Sequence, residues 1–199
     1  MRPTQIYLTD RNEPLCSAWK DTFAGIDEVS VHQDDFFARD ADAMVSPANS
    51  FGIMDGGLDL AIQSTLKGNV QAAVQDAVLE KHHGEMPVGY AEIVRTEDER
   101  WPFLIAAPTM RIPEDVSFSI NAYYAFRAVL VAIMRHNESS GVVDIDSVIV
   151  PGFATGVGRM DPNKCAVQMR VAYNSISSPP RIPSHNAIRE SHSKLRGWE

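Results

Sequence analysis

Two short apolar runs, Ala43–Ser46 and Asp146–Val150, each lead into a glycine-bearing loop and then into a helical pattern. Strand, glycine loop, helix start is how α/β proteins build a site for a phosphorylated ligand. Backbone N–H groups at the helix N-terminus attract anions, and glycine lets a ligand come close to the main chain. The first loop holds Asn49 ten positions before Asp59, with Gly52, Gly56 and Gly57 between them. A turn needs neither the amide nor the carboxyl, so both are candidates for contacts to sugar hydroxyls or to a water.

The rest of the chain repeats the alternation. Gln5–Thr9 reads as a strand, and the polar residues Asp10 to Asn12 with Pro14 open a helix over Pro14–Ala24 that Gly25 stops. Val29–Gln33 alternates as a strand does. Leu58–Leu66 and Val70–His82 read as helices separated by Gly68 and Asn69, and Gly89–Arg95 and Phe103–Ala107 as strands around the polar turn Thr96–Arg100. Ser119–His136 is the clearest helix, with Ser117 or Ser119 available as its cap, and Asp161-Pro162 starts a helix that runs to about Asn174. Strands and helices in turn predict an α/β fold, a three-layer α/β/α sandwich with a mixed, mainly parallel central sheet.

The tail differs. Ser177–Glu199 is rich in Pro and Ser and has little apolar periodicity, so the expected organisation is one domain over 1–176 and an extension over 177–199. The extension reads as an arm or a partly disordered segment with a short helical turn near Ala187–Ser191. Trp198 within it is expected outside the main core, free to dock on a partner.

Composition excludes several classes. A net charge of −8 argues against binding nucleic acid mainly through its phosphates, while an anionic small ligand held by backbone amides stays permitted. Cys16 and Cys165 are far apart and lack metal-ligand spacing, so neither a structural zinc nor a disulfide framework is expected. No apolar run reaches membrane-spanning length, and the opening MRPTQIYLTD has no signal-peptide core. The expected compartment is the cytoplasm, with no metal, no cofactor and no membrane partner.

Neither glycine loop has the lysine of a P-loop, and neither fits a dinucleotide fingerprint. Taken together, however, three segments resemble the macrodomain, an ADP-ribose-binding module of the Appr-1''-p processing family. VHQDDFFARDADAMVSPAN (31–49) is similar to the family's acid-plus-apolar dipeptide followed by its DAIVNAAN strand. GGLDLAI (56–62) resembles the glycine run that opens the next helix, and PGFATGVGRM (151–160) the second phosphate loop. The resemblance spans roughly Ile6 to Ser175.

It implies a role for each matched residue. Asp35, seven positions before Asp42, would accept a hydrogen bond from the adenine amino group, and Phe36 would offer its backbone N–H to the ring. Asn49 would contact the distal ribose. Gly56, Gly57 and Leu58 would wrap the phosphate nearest that ribose, and Asp59 would orient or activate a water. Thr155, Gly156, Val157 and Gly158 would serve the diphosphate with backbone amides and a hydroxyl. Three departures stand out. Ser46-Pro47 replaces Asn-Ala of the family's NAAN, Asp55 stands where another glycine is common, and Gly158-Arg159-Met160 replaces an aromatic-Gly-aromatic run.

Each of these residues also has a plainer reading. Asp35 suits a turn, Asn49 an Asx-turn, Asp59 the acidic first turn of a helix, and Thr155–Gly158 an ordinary strand–helix connection. Arg159 reads equally as a phosphate partner or as a solvated charge. His82 and His83 suit a helix end better than a catalytic or metal role. The implied partner is ADP-ribose or an ADP-ribosylated macromolecule, with nucleic acid expected only as such a modified substrate. The implied activity is hydrolysis of an ADP-ribose linkage, with Asn49 and Asp59 positioning ribose and water. The alternatives are a reader module without turnover, or a structural, phage-type protein that keeps the fold with a lapsed site.

Overall fold

In the computed structural model, which describes residues 4–139, 141 and 143–197, six strands form one sheet in the order β2-β1-β6-β3-β5-β4. The strands are β1 (Gln5–Asp10), β2 (Val29–Gln33), β3 (Ala43–Ser46), β4 (Glu92–Arg95), β5 (Phe103–Ala106) and β6 (Ser147–Val150). Every pairing is parallel except β4 with β5. The helices are α1 (Glu13–Thr22), α2 (Gly57–Thr65), α3 (Val70–His82), α4 (Asn121–Glu138), α5 (Pro162–Ile176) and α6 (His185–Arg196).

The central strands are apolar on both faces because both faces are covered. Ala43 and Val45 of β3 point into one core, with Val148 and Val150 of β6 and Ile105 of β5. That core is filled by Trp19 of α1, Phe126 of α4 and Met169 of α5. The intervening Met44, Ile149 and Leu104 point into a second core built with Ile62 of α2 and Val74 of α3. The period of two along each strand thus splits the sequence into two apolar sets, and the mixed, mainly parallel three-layer arrangement follows.

Helix ends use the side chains that stand there. Asn12 Oδ1 accepts from Leu15 N at 2.9 Å to start α1, and Asp161 Oδ1 accepts from Lys164 N at 3.0 Å to start α5. α1 ends at Thr22, before the expected Ala24, because the Phe23 N–H already closes the last turn on Trp19 O. β4 is shorter than Gly89–Arg95, since Gly89 has φ +102 and breaks the extended run.

The tail departs most from expectation. Where a short turn was predicted, a twelve-residue helix forms, capped by Ser184 and packed on α5. It is anchored by Leu195, 4% exposed, and by Gln168, whose Nε2 donates to Ser119 O at 2.9 Å and to Leu195 O at 3.0 Å. Trp198 lies outside the described residues. Among the described residues no helix is long and apolar enough to cross a membrane.

Candidate functional site

Neighbouring strands β6 and β3 send their following helices to opposite faces, α5 with one core and α2 with the other. Where connections diverge in this way, the carboxyl ends of the strands leave a crevice. A cavity of about 410 Å³ opens there, with Asn49, Gly56, Gly57, Leu58 and Asp59 on one side and Thr155, Gly156 and Val157 on the other. A second cavity of about 290 Å³ continues past Asp10, Leu58 and Pro151, which line both, to Asp35 and Phe36.

The first wall is organised by Asn49. Its Oδ1 accepts from Phe51 N at 3.1 Å and from Ile53 N at 3.3 Å, and its Nδ2 donates to Ile53 O at 2.7 Å. The amide therefore holds the loop in shape while its residue lines the cavity. Gly57 has φ +56, a left-handed conformation that favours glycine. Gly56 is extended, and a Cβ built on either glycine would meet nothing within 4 Å. Main chain at the α2 N-terminus is thus open to whatever enters.

Asp59 sits in the first turn of α2, half-buried behind this loop. Ser46, the last residue of β3, donates from Oγ to Asp59 Oδ1 at 2.6 Å. Burial raises the carboxyl's pKa from 3.8 to about 6; the Ser46 bond opposes that rise and the Asp55 charge adds to it. A carboxyl in this range exchanges a proton with bound water near neutral pH.

The second wall is a tight turn. Met160 N donates to Ala154 O at 2.9 Å, Arg159 N to Gly156 O at 3.0 Å, and Val116 N to Gly158 O at 3.0 Å. Gly156 is exposed and open above, whereas a Cβ on buried Gly158 would lie 2.6 Å from Ala154 O and 2.9 Å from Val116 Cγ2. Gly158 is thus needed for close packing under the turn. Arg159 projects outward, 78% exposed, with Nη1 3.9 Å from Asp115 Oδ2. Neither residue is among those lining the cavity.

At the far end, Asp35 Oδ1 accepts from Phe37 N at 2.8 Å, and Oδ2 pairs with Arg11. Phe36 is 8% exposed and packs edge-on against Phe37. The structure thus brings Asp35, Phe36, Asn49, Gly56, Gly57, Leu58, Asp59, Thr155, Gly156 and Val157 around one continuous crevice. His82, by contrast, is held by Glu92 at 2.8 Å on the edge of the sheet. No group of three His, Cys, Asp or Glu that could hold a metal occurs among the described residues.

Sequence reasoning gave Ser46 no place in the site and read Asp10 and Arg11 only as helix-start polarity. Ser46 was visible only as a departure from the family's Asn. Asp10 ends β1 at the carboxyl edge of the sheet, the position where open α/β sheets place their ligands, and that rule alone was enough to mark it.

The family model described as "Macro domain" matches residues 45–169. An uncharacterized protein of Aquifex aeolicus (strain VF5) is 33% identical over 172 residues, covering 86% of this chain and 96% of its own length. Among solved structures, the macrodomain of Mycobacterium tuberculosis DarG superposes with a TM-score of 0.58 at 22% identity, over 72% of this chain and 88% of that one. A mutant of the Oceanobacillus iheyensis macrodomain with ADPR gives 0.57 at 16% identity, over 79% and 86%. Thermosipho africanus DarTG in complex with ADP-ribose gives 0.57 at 17% identity, over 96% of this chain and 57% of that one. The chain belongs to the macrodomain family.

Proposed function

We propose that this macrodomain binds ADP-ribose, free or attached to a macromolecule, and hydrolyses the linkage at its distal ribose. The observation that carries the proposal is the Ser46–Asp59 pair, a carboxyl with a pKa near 6 at the edge of a cavity whose two walls each hold a glycine with open space above it. Two of the structural relatives are complexes with ADPR and ADP-ribose, which supports a ligand of that class.

In this reading Asp35 and Phe36 hold the adenine. Leu58 and the exposed amides of Gly56, Gly57, Thr155, Gly156 and Val157 hold the diphosphate. Gly158 shapes that second loop from beneath, and Arg159 meets the negative charge of a target outside the crevice. Asn49 keeps its loop closed against the distal ribose, and Asp59 orients a water toward the anomeric carbon. The water oxygen bonds to that carbon as the linkage breaks, and the target's leaving atom departs with the bonding electron pair and takes a proton from solvent, which balances the one the water gives up. The water's proton passes to Asp59 or to a phosphate oxygen of the ligand itself. Such chemistry rests on positioning, with a base matched to working pH. The two free, buried cysteines favour a reducing compartment, the cytoplasm.

A reader without turnover is the second reading. It is favoured by Asn49, whose amide is already committed to its own loop. Calorimetry with ADP-ribose tests what the two readings share. Binding that weakens in Asp35→Ala is expected, and no heat at millimolar ligand would rule out both. Release of ADP-ribose from ester-linked, N-glycosidic and nucleic-acid-linked substrates separates them.

A further inference from the structure

A third cavity, about 690 Å³, lies at the outer edge of the sheet and shares no lining residue with the crevice. One wall is the five consecutive residues Gly89–Ile93. Glu92 and Ile93 open β4 and Gly89–Ala91 lead into it, so the groove runs along the start of that edge strand. β4 is the last strand in the order, and among the described residues no further strand pairs with its outer edge, although α3 packs against it.

The direction of its polar groups follows from the ladder. Thr96 N donates to Pro102 O at 2.9 Å, which continues the β4–β5 register as a hydrogen-bonded pair. Thr96, Val94 and Glu92 therefore turn their backbone groups toward β5, and Ile93 and Arg95 turn theirs outward, while Ala91 precedes the ladder and gives it no bond. The opposite wall is the face of α4 carrying Ala128, Val131 and Ala132, side chains small enough to leave room for another chain.

The rim is cationic although the protein carries a net charge of −8. Arg127 and Arg135 line the groove, and both residues are exposed. Among the described lining residues the only carboxylate is Glu92, already paired with Lys81 at 2.6 Å and with His82 at 2.8 Å. An occupant must therefore supply its own negative charge.

We propose that this groove docks an extended, acidic segment of a partner protein, which adds a strand to the free edge of β4. Main-chain bonds to Ala91, Ile93 and Arg95 give affinity, and acidic side chains on the docked strand meet Arg127 and Arg135. A second copy of this chain fits less well, because a two-fold axis through the edge would set the two cationic rims against each other. A nucleic acid strand would use the arginines but leave the outward N–H and C=O groups unmatched.

The test is fluorescence anisotropy on the full chain at low ionic strength. The probes are a labelled decapeptide of alternating glutamate and valine, a lysine–valine counterpart and an oligothymidylate. Only the glutamate peptide is expected to bind. Ala91→Pro removes an N–H that the β4–β5 ladder does not use, and should weaken binding about tenfold. Arg127→Glu with Arg135→Glu should weaken it further, while thermal melting of every variant stays near that of the wild type. Should Ala91→Pro unfold the chain, amide exchange on the wild type replaces it: the Ile93 and Arg95 amides must gain protection when the glutamate peptide is added. No binding of that peptide, affinity unchanged in folded Ala91→Pro, equal binding of the oligothymidylate, or edge protection by self-association without peptide would each overturn the proposal.

Discussion

Ser46 Oγ donates a 2.6 Å hydrogen bond to Asp59 Oδ1, joining the end of the central strand β3 to the first turn of α2. The bond fixes the carboxyl at the mouth of the crevice and restrains the pKa rise that burial imposes. Ser46→Ala removes that restraint, so the Asp59 pKa should climb above 6. The expected readout is a pH–rate profile of ADP-ribose release whose acidic limb moves to higher pH, with little change in KM. An unmoved profile would separate Asp59 ionisation from turnover.

The same carboxyl sets a pH dependence of stability. The folded group keeps its proton up to about pH 6, whereas its ordinary value is 3.8. Between these values the native state binds more protons than the unfolded chain, so this group's contribution is full below 3.8 and is lost as pH rises through 6. The size is at most about 3 kcal/mol. Asp59→Asn should therefore melt higher than the wild type at pH 7, and the gap should close toward pH 4. Melting curves across that range check it.

Glycines that look alike in sequence separate by what lies above them. A Cβ at Gly56 or Gly156 meets nothing within 4 Å, so Gly56→Val and Gly156→Val should leave the melting temperature nearly unchanged and abolish ADP-ribose binding. At Gly158 the Cβ would sit 2.6 Å from Ala154 O, and Gly158→Ala should cost about 1–3 kcal/mol of stability. Paired melting and calorimetry distinguish the two classes.

Asp35 is engaged by Arg11, a side chain that would compete for the carboxylate with the adenine amino group of the proposed ligand. Arg11→Ala should leave ADP-ribose affinity equal or higher, while Asp35→Ala should lower it about tenfold or more. A loss in Arg11→Ala equal to that in Asp35→Ala would assign the arginine a direct ligand contact.

What the sequence made legible follows the range of the forces involved. β3 and β6 could be read because burial on both faces demands an apolar run, and the Asn12 and Asp161 caps because capping is local. The Ser46–Asp59 bond spans 13 residues between two elements, and the Arg11–Asp35 pair spans 24. Neither leaves a periodic trace. α6 was unreadable for a related reason. Its docking depends on Leu195 and on the amide of Gln168, a partner in another helix. Truncation after Ile176 should therefore lower the melting temperature, since it removes one hydrogen-bond partner of buried Gln168 and uncovers α5. Gly156 and Gly158 were indistinguishable because the space above a glycine is a tertiary property.

Turnover of ADP-ribose linkages in the crevice is proposed to run through Asp59. The direct measurement is the rate of ADP-ribose release from ester-linked, N-glycosidic and nucleic-acid-linked substrates, with wild type and Asp59→Ala side by side. Release from at least one substrate is expected, falling about a hundredfold or more in Asp59→Ala, while ADP-ribose affinity is largely kept. A wild type that binds ADP-ribose but releases none, or an Asp59→Ala variant as fast as the wild type, would contradict that proposal.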